Sequence, residues 1–396
     1  MSKIGILTYH HVINWGSVLQ AYCLQKFLEK LSPNSQIEII DYIPKTSFEY
    51  SQQRLYSSPK TRFWQRRKKN NTYLKKYNMC KNFLDKHCQI SKNSFCSDSL
   101  EEGKKFLVEQ GYDAVLVGSD TVFQLGPNFG NKYIAAPQAP NLYFLPFTAP
   151  FKKIAFAVSV NPFDPSMLES LDKEKTREAI NQFEIIWYRD EATKQALEMI
   201  GVNTETMEFM PDPTLLTDFE LLIDSKEHHA PKYNTSKLAA VAVGNGKLAE
   251  EIITTLTNQG YQTLNLLSGS NNISKSRLKS TEISSVEEYI DLHRQFDLVI
   301  TDRFHSSIIT LVVGNCPIIG IEETNRYPEP NSKLRDLYQR IEIEFMVCRY
   351  QGQKLDIDWL NYYLENWNLT KQQILTRLNQ IRLNAFAKNS YLENII

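Results

Sequence analysis

The stretch Phe296–Pro317 constrains this chain more than any other. It reads Phe-Asp-Leu-Val-Ile-Thr-Asp-Arg-Phe-His-Ser-Ser-Ile-Ile-Thr-Leu-Val-Val-Gly-Asn-Cys-Pro. Leu298–Thr301 is a short β-rich run suited to a buried strand. From Ser306 the residues are apolar enough for a buried helix, which Gly314 and Pro317 close. Asp302, Arg303, Phe304 and His305 therefore stand on a strand-to-helix turn. In an open α/β sheet such a turn lies at the carboxyl ends of the strands, where ligands bind. The helix N-terminus offers N–H groups to an anion, and an Arg and a His beside it favour phosphate or carboxylate. A plainer reading pairs Arg303 with Asp302 and satisfies His305 in the core. Both readings stay open at this point.

The same alternation runs through the chain. Lys3–Tyr9 reads as a strand, and Asn14-Trp15-Gly16-Ser17 as a polar turn. A helix over Ser17–Leu31 follows, with Leu24, Phe27, Leu28 and Leu31 on one face, then a strand over Gln36–Tyr42. This is the opening βαβ unit of a doubly wound domain. The turn has no GxGxxG, so it is not a dinucleotide fingerprint. Gly16 would let the backbone approach a ligand, or simply make a tight turn. A helix over Asp98–Gly111 and a strand over Tyr112–Val117 lead to Gly118-Ser119-Asp120-Thr121-Val122-Phe123. Asp120 at that strand end is a cap or a group that orients and deprotonates a hydroxyl.

Lys153–Val160 reads as a strand, Pro165–Phe183 as a helix and Glu184–Tyr188 as a strand that runs into Arg189-Asp190-Glu191. Arg189 is thus a second Arg at a strand-to-helix turn, with Asp190 as helix cap or as its surface partner. Pro211-Asp212-Pro213 is a rigid crossing. The first domain is read as residues 1–216, a polar linker with His228 and His229 as 217–236, the second domain as 237–350, and a helical tail as 351–396. Gly244-Asn245-Gly246 is a glycine turn that would weakly cradle a phosphate. Lys333, at the head of a helix, is an anion ligand or a solvated lysine. The loop over Pro127–Pro150 has the length and aromatic content to shape a substrate site.

Composition narrows the class. The 396 residues fit two ordinary domains, and the net charge of zero gives no reason to expect nucleic acid as a partner. The six cysteines are scattered, with no CxxC pair. Cys80, Cys88 and His87 match no common zinc module. The N-terminus runs straight into a strand rather than a signal peptide, and no apolar run reaches the roughly 20 residues that span a bilayer. The expectation is a cytoplasmic protein with reduced thiols. Residues 45–92 are different: Arg62, Arg66, Arg67, Lys68 and Lys69 face only Glu49 and Asp85, with Phe63, Trp64 and Tyr73 interleaved. This basic helical insertion is a solvated element, or one that contacts anionic lipid at the inner face of the cell membrane.

Asp302-Arg303-Phe304-His305, with Gly314 and Pro317 downstream, resembles the C-terminal signature of the polysaccharide pyruvyl transferase family. Further stretches are similar to family motifs in the same order. They are Asn14-Trp15-Gly16 before a Leu19-Gln20 helix, Gly118-Ser119-Asp120, Tyr188-Arg189-Asp190, Pro211-Asp212-Pro213-Thr214-Leu215-Leu216 and the helix of Lys333. They cover most of the chain. Phe123 and Gln124 depart from the family's usual Trp and Asn, and the basic insertion is additional.

The resemblance implies an α/β fold of two Rossmann-like domains facing a cleft, as in GT-B enzymes. It also implies transfer of the pyruvyl group of phosphoenolpyruvate to sugar hydroxyls, leaving a ketal. The acceptor would be a cell-surface glycan or its lipid-linked precursor. Phosphoenolpyruvate is the donor substrate, and neither cofactor nor metal is required. Arg303 and Arg189 would clamp the donor's two anionic groups, with Lys333, Asn14, Gly16 and Ser119 as further binding residues. His305 would give or share a proton, and Asp120 would take one from the acceptor. Two other readings remain: a GT-B glycosyltransferase using a nucleotide sugar, and a glycan-binding subunit without catalysis.

Overall fold

Apolar strands separated by amphipathic helices cannot pair as hairpins; each helix carries the chain back so that the next strand lies parallel to the last. The computed structural model describes residues 2–56, 63–126, 137–223, 237–267, 278–279, 283–314, 316–327, 329, 331–388 and 392, with backbone alone over 53–56, 63–72, 278–279 and 369–371. The chain divides into two compact units, residues 1–217 with 382–396, and residues 218–381.

The first unit contains, in chain order, β1 (Lys3–Leu7), α1 (Trp15–Leu31), β2 (Gln36–Tyr42), α2 (Lys45–Tyr56), α3 (Phe63–His87), β3 (Ile90–Phe95) and α4 (Leu100–Glu109). It continues through β4 (Ala114–Asp120), β5 (Lys152–Val158), α5 (Lys173–Ile180), β6 (Ile185–Tyr188), α6 (Glu191–Met199), β7 (Glu208–Phe209) and α7 (Pro213–Leu216). Among the described residues its strands are ordered β3-β2-β1-β4-β5-β6-β7, every neighbouring pair parallel. β4 is buried along its whole length, as a central strand covered on both faces must be.

The second unit holds α8 (Glu220–Ile223), β8 (Leu238–Ala242), α9 (Gly246–Asn258), β9 (Gln262–Asn265), β10 (Leu278–Lys279), α10 (Val286–Leu292) and β11 (Leu298–Thr301). After these come α11 (Phe304–Val312), β12 (Ile318–Glu323), α12 (Lys333–Arg340), β13 (Val347–Tyr350) and α13 (Ile357–Ala387). Its parallel sheet is ordered β10-β9-β8-β11-β12-β13.

Several boundaries differ from the sequence reading. The helix expected over Pro165–Phe183 is a 3₁₀ turn, Pro165–Glu169, followed by α5, because Asp164 and Asp172 each cap a separate N-terminus. The start of the expected linker belongs to the second unit: Leu222 and Ile223 of α8 are buried there. His228 and His229 lie outside the described residues. The tail is one long helix whose early turns pack in the second unit, where Trp359 Nε1 donates to Cys348 Sγ (3.3 Å). Its last turn belongs to the first unit, where Phe386 packs on Phe27 (5.5 Å between ring centres).

Within the described part of the loop expected to shape a substrate site, Asn141–Leu145 are core. Tyr143, Phe144 and Leu145 are fully buried, and Phe144 stacks on Phe123 at 4.8 Å. Phe123, standing where the family more often has Trp, therefore fills the interior. The insertion is α2 and α3, anchored by Met79, Cys80, Phe83 and Leu84; the basic run at 62–69 lies outside the described side chains. None of the six cysteines is bridged. Among the described residues no helix is long and apolar enough to cross a membrane.

Candidate functional site

Each sheet has one place where its winding reverses. The chain leaves β1 toward β2 and β3, then returns to lay β4 on the other side of β1. It leaves β8 toward β9 and β10, then lays β11 on the other side of β8. The crevice outside the carboxyl ends of such a strand pair is where open α/β sheets hold ligands.

In the first unit this rim is built from the start of α1 and the end of β4. Asn14 caps α1, its Oδ1 accepting from Gly16 N at 3.1 Å. The helix consequently begins at Trp15, and Gly16 is a buried residue of its first turn rather than the hinge of a tight turn. The conformationally demanding glycine is Gly118, with φ +131°, where a Cβ would stand 2.0 Å from the carbonyl oxygen of Phe156. Ser119 is not a surface-facing binding residue. It is fully buried, its hydroxyl donating to Gln20 Oε1 at 2.7 Å and its N–H to the same oxygen at 3.1 Å. Gln20 in turn donates to Thr8 Oγ1 at 2.8 Å, so Ser119 locks β4 to α1.

Asp120 follows with φ +78°, a left-handed conformation that Asp tolerates better than most residues. Its Oδ2 accepts from the Ser17 hydroxyl at 3.4 Å and its Oδ1 from Arg189 Nη2 at 3.3 Å. Arg189, at the end of β6, is also placed differently from the expected donor clamp. Its side chain is 1% exposed, and Nη1 donates to Asp212 Oδ2 at 2.7 Å. Burial alone would lower the guanidinium's pKa, but Asp212, Asp120 and Asp190 together hold it above its ordinary value. Asp212 is itself fixed as the cap of α7, accepting from Thr214 N (3.1 Å) and the Thr214 hydroxyl (2.6 Å). Asp190 caps α6 and accepts from the Ser159 hydroxyl at 2.5 Å. The sequence reading gave Ser17 no role of its own and took Asp212 only as part of the rigid Pro211-Asp212-Pro213 crossing. The one available signal was Pro213, because proline at a first helical position marks the preceding Asp as a cap.

In the second unit the rim is cationic. β11 ends at Thr301, whose Oγ1 donates to Ala242 O (3.1 Å) and accepts from Arg303 N (2.9 Å), fixing the turn. Arg303 Nε lies 2.8 Å from Asp302 Oδ1, while Asp302 Oδ2 accepts from Gly244 N at 2.9 Å. The Arg303 side chain nevertheless remains 43% exposed. Gly244 makes room for it: a Cβ there would come within 2.4 Å of Arg303 Nη2. Gly244 thus supports the arginine instead of cradling a ligand with its own backbone. Gly246 opens α9 behind its Asn245 cap.

Arg303 occupies the cap position of α11 without a side-chain cap bond, so the helix's first N–H groups and the guanidinium converge on one rim. Phe304 and His305 form the first turn, their rings edge to face at 5.3 Å. Lys333, the first residue of α12, lies with Nζ 5.5 Å from the centre of the Phe304 ring. Behind it, buried Glu322 accepts from Ser332 N (3.2 Å), Arg335 Nε (2.9 Å) and Arg349 Nη1 (3.3 Å), fixing the start of α12. Arg303, His305 and Lys333 are therefore grouped by β11, α11 and α12 at one end of one sheet.

Solved structures share this architecture. The chain is similar to a UDP-bound MnaA of S. aureus (TM-score 0.53, 10% identity, 100% of this chain and 98% of that one). It is also similar to a UDP-GlcNAc 2-epimerase of Neisseria meningitidis solved with UDP-GlcNAc (0.52, 10%, 98% and 100%). A third similar structure is the glycotransferase of kitacinnamycin (0.52, 10%, 100% and 99%). At such identities the likeness defines the fold, that of GT-B-type glycosyltransferases and epimerases with two Rossmann-like units. No curated protein matches the chain in sequence. The sequence model for polysaccharide pyruvyl transferases, however, matches residues 14–323. The chain belongs to the polysaccharide pyruvyl transferase family, and so to a family of transferases that modify glycans.

Proposed function

We propose that this protein transfers the pyruvyl group of phosphoenolpyruvate to two hydroxyls of one sugar in a cell-surface glycan or its lipid-linked precursor. The observation that carries this reading is the Arg303 rim: an exposed guanidinium held from behind by Asp302, at the N-terminus of α11, with Lys333 on the neighbouring helix. Phosphoenolpyruvate places a phosphate and a carboxylate on three carbons. Arg303 offers a planar fork to one, and Lys333 with the helix N–H groups serves the other.

The reaction then balances as follows. His305 gives a proton to the terminal enol carbon, which becomes the methyl group. Positive charge grows on the adjacent carbon, and one sugar hydroxyl adds there, losing its proton. The C–O bond to phosphate breaks, phosphate leaves with the electron pair, and the second hydroxyl closes the ketal. The two hydroxyl protons end on the methyl carbon and on phosphate, so no oxidant or metal enters the balance.

Incubation with phosphoenolpyruvate and sugar acceptors, followed by phosphate release and mass analysis, tests this. The expected product is heavier than the acceptor by one pyruvate minus water, with one phosphate released per product. Sugar transfer from a nucleotide sugar, with no phosphoenolpyruvate consumed, would identify a glycosyltransferase and displace the reading.

A further inference from the structure

β8, β11 and β12 lie side by side in that order, so the turns that leave β8 and β12 are separated by the end of β11, where Arg303 stands. One hydrogen bond nonetheless joins them. Asn245 Nδ2, just after β8, donates to Oε2 of Glu323, the last residue of β12, at 2.7 Å. The pair therefore spans the end of β11. We infer that Glu323 binds the acceptor, its carboxylate receiving a sugar hydroxyl beside the donor held at Arg303. The inference rests on the reading of the Arg303 rim as the donor site.

The direction of the side chain follows from the strand, in which successive residues point to opposite faces. Glu322 is buried and turned to α12, accepting from Arg335 Nε at 2.9 Å. Glu323 therefore points to the face of α9, whose head Asn245 caps through Oδ1 (3.3 Å from Leu248 N). The residue before that cap, Gly244, holds Asp302 Oδ2 through its N–H at 2.9 Å and leaves the room that Arg303 Nη2 occupies. One turn thus supports both the carboxylate and the guanidinium. Arg326 N and Tyr327 N both donate to Glu323 O at 3.0 Å, which fixes the backbone there. Glu323 is half-buried, and among the described residues its Oε1 takes no hydrogen bond. A carboxylate accepts hydrogen bonds and repels anions. Beside Arg303 it turns the doubly anionic donor toward Lys333, at the head of α12, and leaves its own side to a neutral molecule that carries hydroxyls.

The test uses Glu323→Gln, whose side-chain oxygen still accepts from Asn245 while the charge is removed. The acceptor is whichever of methyl glucoside, methyl galactoside and methyl mannoside takes the pyruvyl group fastest. In the variant its KM is expected to rise about tenfold or more, as for loss of a hydrogen bond to a charged group. The KM for phosphoenolpyruvate, the melting shift it causes and the unliganded midpoint are expected to stay. A Glu323 that only anchors the head of α9 would leave both KM values unchanged, and an unchanged sugar KM overturns the inference. Loss of the phosphoenolpyruvate shift in the variant also overturns it, by placing Glu323 in the donor site. No shift in the wild-type protein is the failure of the donor reading and takes the inference with it. A wild-type shift with none of the three glycosides converted overturns the acceptor role and leaves the donor rim standing.

Discussion

Two glycines carry the sharpest residue-scale expectations, and they differ in kind. At Gly118 an added methyl meets a backbone carbonyl at 2.0 Å in a conformation closed to most side chains. Gly118→Ala is expected to destabilise the protein by at least about 2 kcal/mol, read by denaturant unfolding. At Gly244 the obstacle is the end of the Arg303 side chain, which swings away at little cost. Gly244→Ala is expected to leave the unfolding midpoint nearly unchanged while raising KM for phosphoenolpyruvate several-fold with kcat less affected, because it displaces the guanidinium. Equal loss in Thr310→Ala, a buried residue of α11 beyond its first turn, would show the effect to be general. Both glycines were visible as turn residues in the sequence. What each turn must accommodate was not, because Phe156 and Arg303 lie 38 and 59 positions away (156 − 118 and 303 − 244).

Among elements, caps account for much of what was legible. β11 runs over the residues read from its apolar run, because Asp297 and Asp302 bracket it. α6 begins after Asp190, a cap readable from residue type and position alone. Asp190→Ala removes acceptors from Thr193 N, Thr193 Oγ1 and Ser159 Oγ, and should cost roughly 2 kcal/mol in chemical unfolding. The split at Asp172 was missed because a helical pattern on both sides masks a break between them.

A second element-scale feature is Lys153 on β5, whose ammonium donates to Leu145 O, Phe147 O and Gln182 Oε1. Burial lowers its pKa to about 8, against about 10.4 for an unfolded lysine. Between those values the unfolded chain binds more protons than the folded one, so this group's contribution makes stability rise with pH from about 8 to about 10. Lys153→Met should lack that slope when both proteins are unfolded by urea at pH 7.5 and 9.5. Parallel slopes in the two would refute it.

At the scale of the whole molecule, two doubly wound sheets were readable from alternation and length, since parallel strands leave little choice of architecture. The assembly of Asp120, Arg189 and Asp212 was not readable. Three residues from β4, β6 and the start of α7 meet only when the sheet is formed, and no local pattern marks two acids that share one arginine. The second unit's rim was more legible because Asp302, Arg303 and His305 are neighbours in sequence, with Lys333 the one member brought from a distance.

The central claim is that the Arg303 rim binds phosphoenolpyruvate, and thermal unfolding with ligand tests it most directly. At about 100 times the dissociation constant a ligand adds roughly 2.7 kcal/mol to the folded state. Phosphoenolpyruvate is expected to raise the melting temperature of the wild-type protein, and Arg303→Ala, at a partly exposed side chain, is expected to abolish the shift while changing the unliganded midpoint little. No shift with phosphoenolpyruvate, alongside a clear shift with a nucleotide sugar, would contradict the claim and assign the rim to a diphosphate.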